Sequence, residues 1–192
     1  SGVPPDYFSS TGQLWGTPVY EWNYHIVNQF EWWKKRFKRQ FDLVDILRLD
    51  HFRALESYWR VKGDSKNAIE GEWIKSPGNE LLKSLAEFLN VETLPIIAED
   101  LGIITEDVNK LRDEFDLPGM KILQFAFDCN KDNPYLPENI KNNNCVVYTG
   151  THDNSTTVSW WDNLDEIVKE KFINKYKYID NPAWSLINVG MK

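Results

Sequence analysis

Three apolar segments of the chain each end on acidic side chains, and they follow one another at intervals of about fifty residues. The segments are ILRLDHFRAL around Asp50, LPIIAEDLG around Glu99 and CVVYTGTHDN around Asp153. Carboxylates that follow successive parallel strands of a barrel are carried to the same rim, where they can meet one substrate. The spacing therefore predicts an α/β fold with a shared acidic site, and three such carboxylates suggest chemistry on sugar bonds.

Helical and strand-like patterns of apolar residues alternate along the sequence. Four segments have the spacing of an amphipathic helix: 26–41, 81–89, 105–115 and 167–176. Four shorter apolar runs predict strands: 44–49, 96–98, 122–127 and 146–148. Such alternation indicates parallel strands joined by right-handed crossovers. A closed barrel of this type needs eight strands, so we expect about half of a barrel. A complete open sheet is the alternative, which the lack of a glycine-rich phosphate loop disfavours.

The composition argues against several classes of protein. The 192 residues carry a formal net charge of −7, which argues against a nucleic-acid partner. No apolar run approaches the roughly 18 residues of a membrane span, and the two cysteines, Cys129 and Cys145, make no disulfide framework. These features fit a cytoplasmic enzyme, or a plastid one. Because the chain begins with Ser1 in a loop-like segment rather than with methionine, we expect it to be a fragment.

Two segments are predicted to lack regular structure. Residues 1–21 contain prolines and glycines that break any period, yet they also carry the aromatic side chains Tyr7, Phe8, Trp15 and Tyr20. Loops are usually polar, so this one is predicted to pack on the body of the protein or to cover a site. The polar residues 60–79 form the second predicted loop.

Asp50 and Glu99 have different predicted surroundings. Side chains alternate along a strand, so Arg48 and Asp50 point the same way, and the guanidinium can favour the ionised carboxylate. A strand-end salt bridge without catalytic meaning remains an equally simple interpretation. Glu99 follows three apolar residues, and a dry environment would raise the pKa of its carboxyl and make it a general acid. The alternative is a partly exposed acid of no special role, and Asp100 is predicted to face away and tie down the following turn.

The third segment adds a histidine to a carboxylate. Asp153 can hold sugar hydroxyls and stabilise positive charge at the anomeric carbon, and His152 can donate to a hydroxyl. A metal site built from His51, His152 and the acids is a rival interpretation. The sequence contains neither an H-x-H nor an H-E-x-x-H spacing, so neither a metal nor a cofactor is expected.

Taken together, five segments resemble those of a known enzyme family. GVPPDYFSSTGQLWGTPVY, LRLDHFRALESYWRV, GEWIKSPG, IIAEDLG and YTGTHDNSTT, in this order, are similar to signature segments of the 4-α-glucanotransferases, or amylomaltases. These enzymes are relatives of the α-amylases. The resemblance runs from the first residue to about Trp184.

The resemblance implies a fold and a role for each matching residue. It implies part of a (β/α)8 TIM barrel, about strands 4 to 7, with Asp50 as nucleophile, Glu99 as acid/base and Asp153 as transition-state stabiliser. Arg48 and His152 match supporting residues. The N-terminal loop resembles a mobile segment over the active site, so Tyr7, Gln13 and Trp15 are candidates for glucan contact, as is Asn154 in the third segment.

The resemblance also implies an activity and its requirements. It implies transfer of α-1,4-glucan segments between donor and acceptor chains by a retaining mechanism, in which the two carboxyls lie about 5–5.5 Å apart. An α-amylase-type hydrolase and a non-catalytic glucan-binding module are the alternatives. The implied domain is one barrel, divided into a lid loop at 1–21, a half-barrel at 22–184 and the start of a further helix at 185–192. The isolated chain is expected to be inactive without the rest of the barrel.

Overall fold

The computed structural model describes residues 1–6, 9–177 and 181–191. The strands in this part are β1 (Gly2–Val3), β2 (Gln13–Leu14), β3 (Leu47–Leu49), β4 (Ser57–Arg60), β5 (Glu72–Lys75), β6 (Ile96–Ala98), β7 (Gly119–Ile122) and β8 (Cys145–Tyr148). The α-helices are α1 (Trp22–Val27), α2 (Glu31–Phe41), α3 (Gly78–Leu89), α4 (Glu106–Glu114), α5 (Thr157–Asp162), α6 (Glu166–Tyr176) and α7 (Pro182–Gly190). The chain divides into two compact units, Ser1–Gly119 and Met120–Lys192.

A parallel pair of strands lies at the centre of the first unit. Leu47 pairs with Ile96, and Leu49 pairs with Ala98, in the β3–β6 sheet. Helices α2 and α3 pack on this pair, and the buried core consists of Phe30, Trp33, Phe37, Phe52, Leu55, Leu81, Leu82, Leu85, Leu94, Ile96, Ala98, Val108, Leu111 and Leu117. Strand β6 has the predicted bounds, whereas the predicted strand 44–49 is reduced to its last three residues.

The predicted helix 26–41 is two helices, α1 and α2. Gln29 and Phe30 between them have positive φ angles of 51° and 56°, a left-handed conformation that cannot continue an α-helix. Phe30, Trp33 and Phe37 are nevertheless all buried. The sequence period therefore detected the core face of α2 correctly, but it was wrong for Ile26 of α1, which is 48% exposed, and wrong in predicting one continuous helix.

A small antiparallel sheet forms the other side of the first unit. Its strands lie in the order β2-β1-β4-β5, and β4 pairs with β5 from Ser57–Lys75 to Arg60–Glu72. The prediction of a loop at 60–79 was therefore wrong for β5. Short strands β1 and β2 also lie in the predicted N-terminal loop, and Gly2 pairs with Trp59 of β4. These pairings confirm that the loop packs on the body of the protein.

The described residues of the second unit include a two-stranded sheet and the α-helices α5, α6 and α7. Strands β7 and β8 are neighbours in the sheet, and the core formed by Leu123, Phe172, Leu186 and Val189 is surrounded by aromatic side chains. The predicted strand 122–127 instead ends at Ile122 and continues as a 3-10 turn. Helix α5 was not predicted, and the tail expected to begin a helix at 185 is already helical from Pro182. The assignment of all residues to one barrel domain stays a prediction.

Candidate active site

The parallel pairing of β3 and β6 brings Asp50 and Glu99 side by side. Leu49 and Ala98 form the last pair of the sheet, and Asp50 and Glu99 are the next residues along the chain after each strand. Hydrogen bonds continue past the strands, because the Glu99 N–H donates to the Leu49 carbonyl at 3.0 Å and the Phe52 N–H donates to the Glu99 carbonyl at 3.1 Å. Residues in register on parallel strands point to the same face, so the two carboxylates share one edge of the sheet.

Asp50 is an exposed carboxylate paired with Arg48. The Arg48 Nη2 atom lies 2.8 Å from Asp50 Oδ1, and the Asp50 side chain is 75% exposed. This is the predicted ion pair between alternate residues of one strand. An exposed carboxylate that is held by an ion pair at a strand end can act as a nucleophile.

Glu99 is a partly buried carboxyl held by backbone N–H groups. The His51 N–H donates to Oε2 at 2.7 Å, and the Leu101 N–H donates to Oε1 at 2.9 Å. Burial raises the pKa of Glu99, and the charge of Asp50 raises it further, against the two N–H donors and Arg48, which lower it. The balance favours the protonated form more than for an ordinary Glu, which suits a general acid.

His51 has an unusual backbone and a desolvated ring. Its φ and ψ angles are 49° and 50°, in the left-handed region, and its ring meets Trp15 edge-to-face with centroids 4.6 Å apart. Burial lowers the pKa of His51 to about 4, with a further contribution from Arg53, so the imidazole is neutral near pH 7. Among the described residues, no group of three or more His, Cys, Asp or Glu side chains is arranged to hold a metal ion.

A cavity of about 710 Å³ opens beside these residues in the first unit. Arg48, Asp50 and His51 line one part of it. Its Phe, Tyr and Trp lining residues are Trp15, Tyr20, Trp22, Trp33, Phe37 and Tyr58. Aromatic faces with polar tips suit the apolar C–H faces of sugar rings. The residues that line the cavity do not include Glu99 or Gln13.

The N-terminal loop places Trp15 next to the carboxylates. The Trp15 N–H donates to the Ser1 carbonyl at 3.1 Å, and its indole Nε1–H donates to Gln13 Oε1 at 3.1 Å. Trp15 is 41% exposed. The loop is thus structured around Trp15, whereas the predicted glucan contact at Tyr7 lies outside the described residues.

In the second unit, Asp153, His152 and Asn154 belong to one turn that follows β8. The Asn154 side-chain oxygen accepts hydrogen bonds from the Thr151 N–H at 2.8 Å and from Thr151 Oγ1 at 3.0 Å. His152 Nε2 lies 3.5 Å from Asp153 Oδ2, and these side chains are 74% and 76% exposed. The Asn154 oxygen therefore closes the turn, and the turn presents His152 and Asp153 to solvent.

Asp100 has a structural role beside the site. Its side chain is only 5% exposed, and Arg112 of α4 donates to it at 2.5 Å. A Cβ atom at Gly119 would lie 2.3 Å from Asp100 Oδ2, so glycine is required there. The sequence predicted that Asp100 ties down the following turn, and the structure shows it paired with Arg112 of helix α4, twelve residues further on.

Arg53 is a buried residue that the sequence did not single out. Its Nη1 donates to the Ile103 carbonyl at 2.6 Å, and its guanidinium lies 3.9 Å from the ring centroid of Trp73. Arg53 therefore connects the segment after β3 to the segment after β6 and to strand β5. Two features of the sequence could have indicated this role. Arg53 is a second arginine within an apolar segment, and Trp73 is an isolated tryptophan in a polar one.

Membrane insertion has no support in the helices. Among residues 1–6, 9–177 and 181–191, no helix combines the length and the apolar character needed to cross a bilayer.

Comparison with known proteins identifies the family. The sequence model of the 4-alpha-glucanotransferase family matches residues 1–191. The 4-alpha-glucanotransferase of Synechocystis is 53% identical over an alignment of 192 positions, which covers 99% of this chain and 38% of that protein. The enzyme of the same name from Thermus thermophilus is 43% identical over 100% of this chain and 40% of its own length. The chloroplastic/amyloplastic one of Arabidopsis thaliana is 48% identical over 99% of this chain and 33% of its own length.

A solved structure agrees with these relatives. The amylomaltase from Streptococcus agalactiae, in complex with acarbose, superposes with a TM-score of 0.90 at 38% identity, over 98% of this chain and 38% of that one. The chain thus spans about two fifths or less of the length of the relatives it matches. It belongs to the 4-alpha-glucanotransferase family.

Proposed function

We propose that this chain forms part of a 4-α-glucanotransferase, which transfers α-1,4-glucan segments between maltooligosaccharide or starch-type chains. The observation that carries the proposal is the pair of unlike carboxyls at neighbouring strand ends. Asp50 is exposed and paired with Arg48, whereas Glu99 is partly buried and has a raised pKa. Membership in the family supports the same reaction, and a cytoplasmic or plastid location fits it.

The two carboxyls suit a retaining double displacement. The Glu99 carboxyl protonates the glycosidic oxygen while an Asp50 oxygen attacks the anomeric carbon, so the glycosidic bond breaks and a glucosyl–Asp50 ester forms. Glu99, now ionised, takes the proton from the 4-hydroxyl of an acceptor glucan. That oxygen attacks the anomeric carbon, and the carboxylate of Asp50 leaves.

The segment after β8 supplies the remaining proposed groups. Asp153 stabilises the positive charge of the oxocarbenium-like transition state, and His152 donates a hydrogen bond to a sugar hydroxyl. Both side chains are exposed, which leaves them available to a ligand. These roles require the turn to reach the sugar bound at Asp50 in the assembled enzyme.

The proposed fold is about strands 4 to 7 of a (β/α)8 barrel, completed by further chain. The parallel pairing of β3 and β6 supports this, as does the similarity to the amylomaltase over 38% of its length. The acarbose in that complex is an oligosaccharide analogue, which supports a maltooligosaccharide as ligand here. Trp15, Gln13 and Tyr7 of the loop are proposed to contact it, and Arg48 is proposed to support Asp50 through their ion pair. Asn154 is proposed as a contact through its amide group.

Transfer rather than hydrolysis requires that an acceptor sugar exclude water from the intermediate. The aromatic lining of the cavity beside Asp50 supports transfer, because stacked rings hold an acceptor and displace solvent. The same carboxyls would serve an α-amylase-type hydrolase, and a glucan-binding module would need none of them.

Product analysis with maltotriose tests the proposal. The complete polypeptide that carries residues 1–192 is expected to yield glucose together with chains longer than maltotriose. Glucose and maltose in equal amounts, without longer chains, would instead indicate hydrolysis. Binding without any product would indicate a binding module. The Asp50→Asn variant should bind glucan without turnover, whereas turnover at the unmodified rate would contradict the role of Asp50.

A further inference from the structure

Both oxygens of Glu99 are held by the main chain. The His51 N–H reaches Oε2 at 2.7 Å, and the Leu101 N–H reaches Oε1 at 2.9 Å. Two N–H donors on two oxygens fix the plane of the carboxyl group. Each N–H occupies one lone pair of a Glu99 oxygen, so the proton that the acid delivers must sit on one of the lone pairs that are left. The direction of proton delivery therefore depends on where these two N–H groups point.

The direction of the His51 N–H depends on a left-handed backbone. His51 has φ 49° and ψ 50° and directly follows Asp50. An L-residue other than glycine or asparagine pays roughly 1–2 kcal/mol for this conformation, so it persists only where the surroundings hold it. Phe52 is fully buried and its N–H is bonded to the Glu99 carbonyl, so the chain after His51 is fixed. A right-handed or extended His51 would therefore have to rotate the Asp50–His51 peptide plane, and with it the N–H that reaches Glu99.

Neighbouring contacts hold His51 in this conformation. On its C-terminal side, Phe52 is fully buried and its N–H donates to the Glu99 carbonyl, while the Ala54 N–H donates to the His51 carbonyl at 2.9 Å. On its side-chain face, the imidazole packs edge-to-face on Trp15 of the N-terminal loop. His51 is therefore the point at which the loop, the end of β3 and the carboxyl of Glu99 meet.

We propose that His51 is a positioning residue for the acid/base: the left-handed backbone at this position, between Asp50 and the anchored Phe52, aims an N–H at Glu99. This inference rests on the proposed function for the role of Glu99. His51 does not itself exchange a proton with the substrate. It differs from the rival interpretation of His51 as a metal ligand because the main chain, not the imidazole, carries the effect.

Removal of the N–H donor has a defined electrostatic consequence. The charged groups that face Glu99 are Asp50, whose charge raises its pKa, and Arg48, whose charge lowers it. The N–H groups of His51 and Leu101 lower it further. Without the His51 donor, the pKa of Glu99 rises, and the basic limb of the pH–activity profile moves to higher pH. The carboxyl is also no longer aimed, so kcat falls on the order of 10-fold or more.

Four substitutions separate the backbone from the ring. His51→Gly and His51→Asn lose the imidazole but tolerate the left-handed conformation. His51→Ala and His51→Val lose the imidazole and disfavour that conformation. A matched control is Asn90→Ala, because Asn90 is also left-handed, with φ 53°, but closes helix α3.

The measurements are the pH profile of kcat/KM for maltotriose disproportionation and the pKa of Glu99, both in the complete polypeptide. The pKa is obtained by NMR titration of 13C-carboxyl-labelled glutamate, assigned with Glu99→Gln. We expect Gly and Asn at position 51 to keep the unmodified basic limb and Glu99 pKa. We expect Ala and Val at position 51 to raise the pKa of the basic limb and the pKa of Glu99, and to change kcat by a larger factor than KM. Asn90→Ala should change thermal stability alone.

Equal profiles and equal Glu99 pKa values across all four variants would overturn the positioning role. Should His51→Val fail to fold, His51→Asn still decides, because a raised Glu99 pKa in that variant contradicts the proposal. Failure of the proposed function looks different. In that case the unmodified protein gives no transfer products, or Glu99→Gln gives them at the unmodified rate. The NMR titrations still test the contact between His51 and Glu99.

Discussion

Two carboxyls in adjacent positions on neighbouring strands have opposite electrostatic surroundings. Asp50 is exposed to water and 2.8 Å from a guanidinium, whereas Glu99 is desolvated and close to the charge of Asp50. Burial raises the pKa of the Glu99 carboxyl, which is the direction that a general acid requires. The difference in exposure between the two side chains supports the proposed roles of Glu99 as acid and Asp50 as nucleophile.

Replacement of Glu99 should remove acid catalysis and spare the nucleophile. We expect Glu99→Gln to lower kcat for maltotriose by about 10²–10⁴-fold, because the leaving sugar is no longer protonated. With α-maltosyl fluoride, whose leaving group needs no proton, formation of the intermediate should persist. Glu114→Gln, at an exposed position of α4, is the control. Equal losses with both substrates would contradict an acid role.

His51 should make stability depend on pH. In the folded protein its pKa is about 4, whereas an unfolded histidine titrates near 6.5. Between pH 4 and pH 6.5 the imidazole is protonated in the unfolded chain and neutral in the folded protein. The free energy of unfolding should therefore fall by about 3 kcal/mol as the pH drops from 6.5 to 4. Denaturant unfolding of the unmodified protein and of His51→Asn measures this, and parallel pH dependences in the two proteins would contradict a buried neutral imidazole.

The sequence located the acidic residues but not the geometry around them. The Arg48–Asp50 ion pair follows from strand alternation alone, and it was predicted. The left-handed conformation of His51 was not, because histidine carries no strong backbone signal and only the burial of Phe52 and the contact with Trp15 hold it there. The functional roles of Asp50, Glu99 and Asp153 stay predictions.

At the scale of elements, Arg53 connects three segments of the first unit. It lies in the 3-10 turn after β3, donates to Ile103 after β6 and stacks on Trp73 of β5. A buried cation needs such partners, because desolvation without them is costly. The segments that follow β3 and β6 carry the catalytic candidates, so this arginine holds the frame of the site.

Loss of the buried Arg53 should destabilise the fold more than loss of an exposed arginine does. Arg53→Met keeps the length of the apolar stem but leaves the Ile103 carbonyl unpaired and removes the cation–π contact. We expect the free energy of unfolding to fall by about 2–3 kcal/mol. Arg39→Met, on the exposed face of α2, should change it by about 0.5 kcal/mol or less. Similar values for the two variants in chemical denaturation would contradict the connecting role.

Element prediction succeeded where a local period was strong and failed where pairing at long range decided the structure. Strand β6 and helices α3, α4 and α6 follow the apolar spacing of their own residues. The β4–β5 hairpin was not predicted. Trp73 and Ile74 form a strand because they pair with Trp59 and Tyr58, from which a polar connection separates them in the sequence. The division of the first predicted helix depends on the conformation of Gln29 and Phe30, which periodicity does not detect.

At the scale of the whole chain, large apolar side chains remain exposed in each of the two units. Val44 is 43% exposed and Ile46 60% exposed just before β3, and Trp184 of α7 is 66% exposed. Exposed apolar groups of this size mark surfaces that pack on something else. In the proposed barrel, further strands and helices would cover them.

The isolated 192-residue chain should therefore associate with itself. We expect sedimentation velocity at increasing protein concentration to show species larger than the 22.6 kDa monomer. Ile46→Lys together with Trp184→Lys should reduce that association, whereas Lys35→Glu on the exposed face of α2 should not. A monomer at all concentrations would show that these side chains need no cover.

The nucleophilic role of Asp50 is tested most directly by trapping the covalent intermediate. In the complete polypeptide, Glu99→Gln incubated with α-maltosyl fluoride and no acceptor should accumulate a glycosyl ester, and peptide mass spectrometry should locate it on Asp50. An adduct on a different side chain, or products with inverted anomeric configuration and no adduct, would contradict the proposed mechanism.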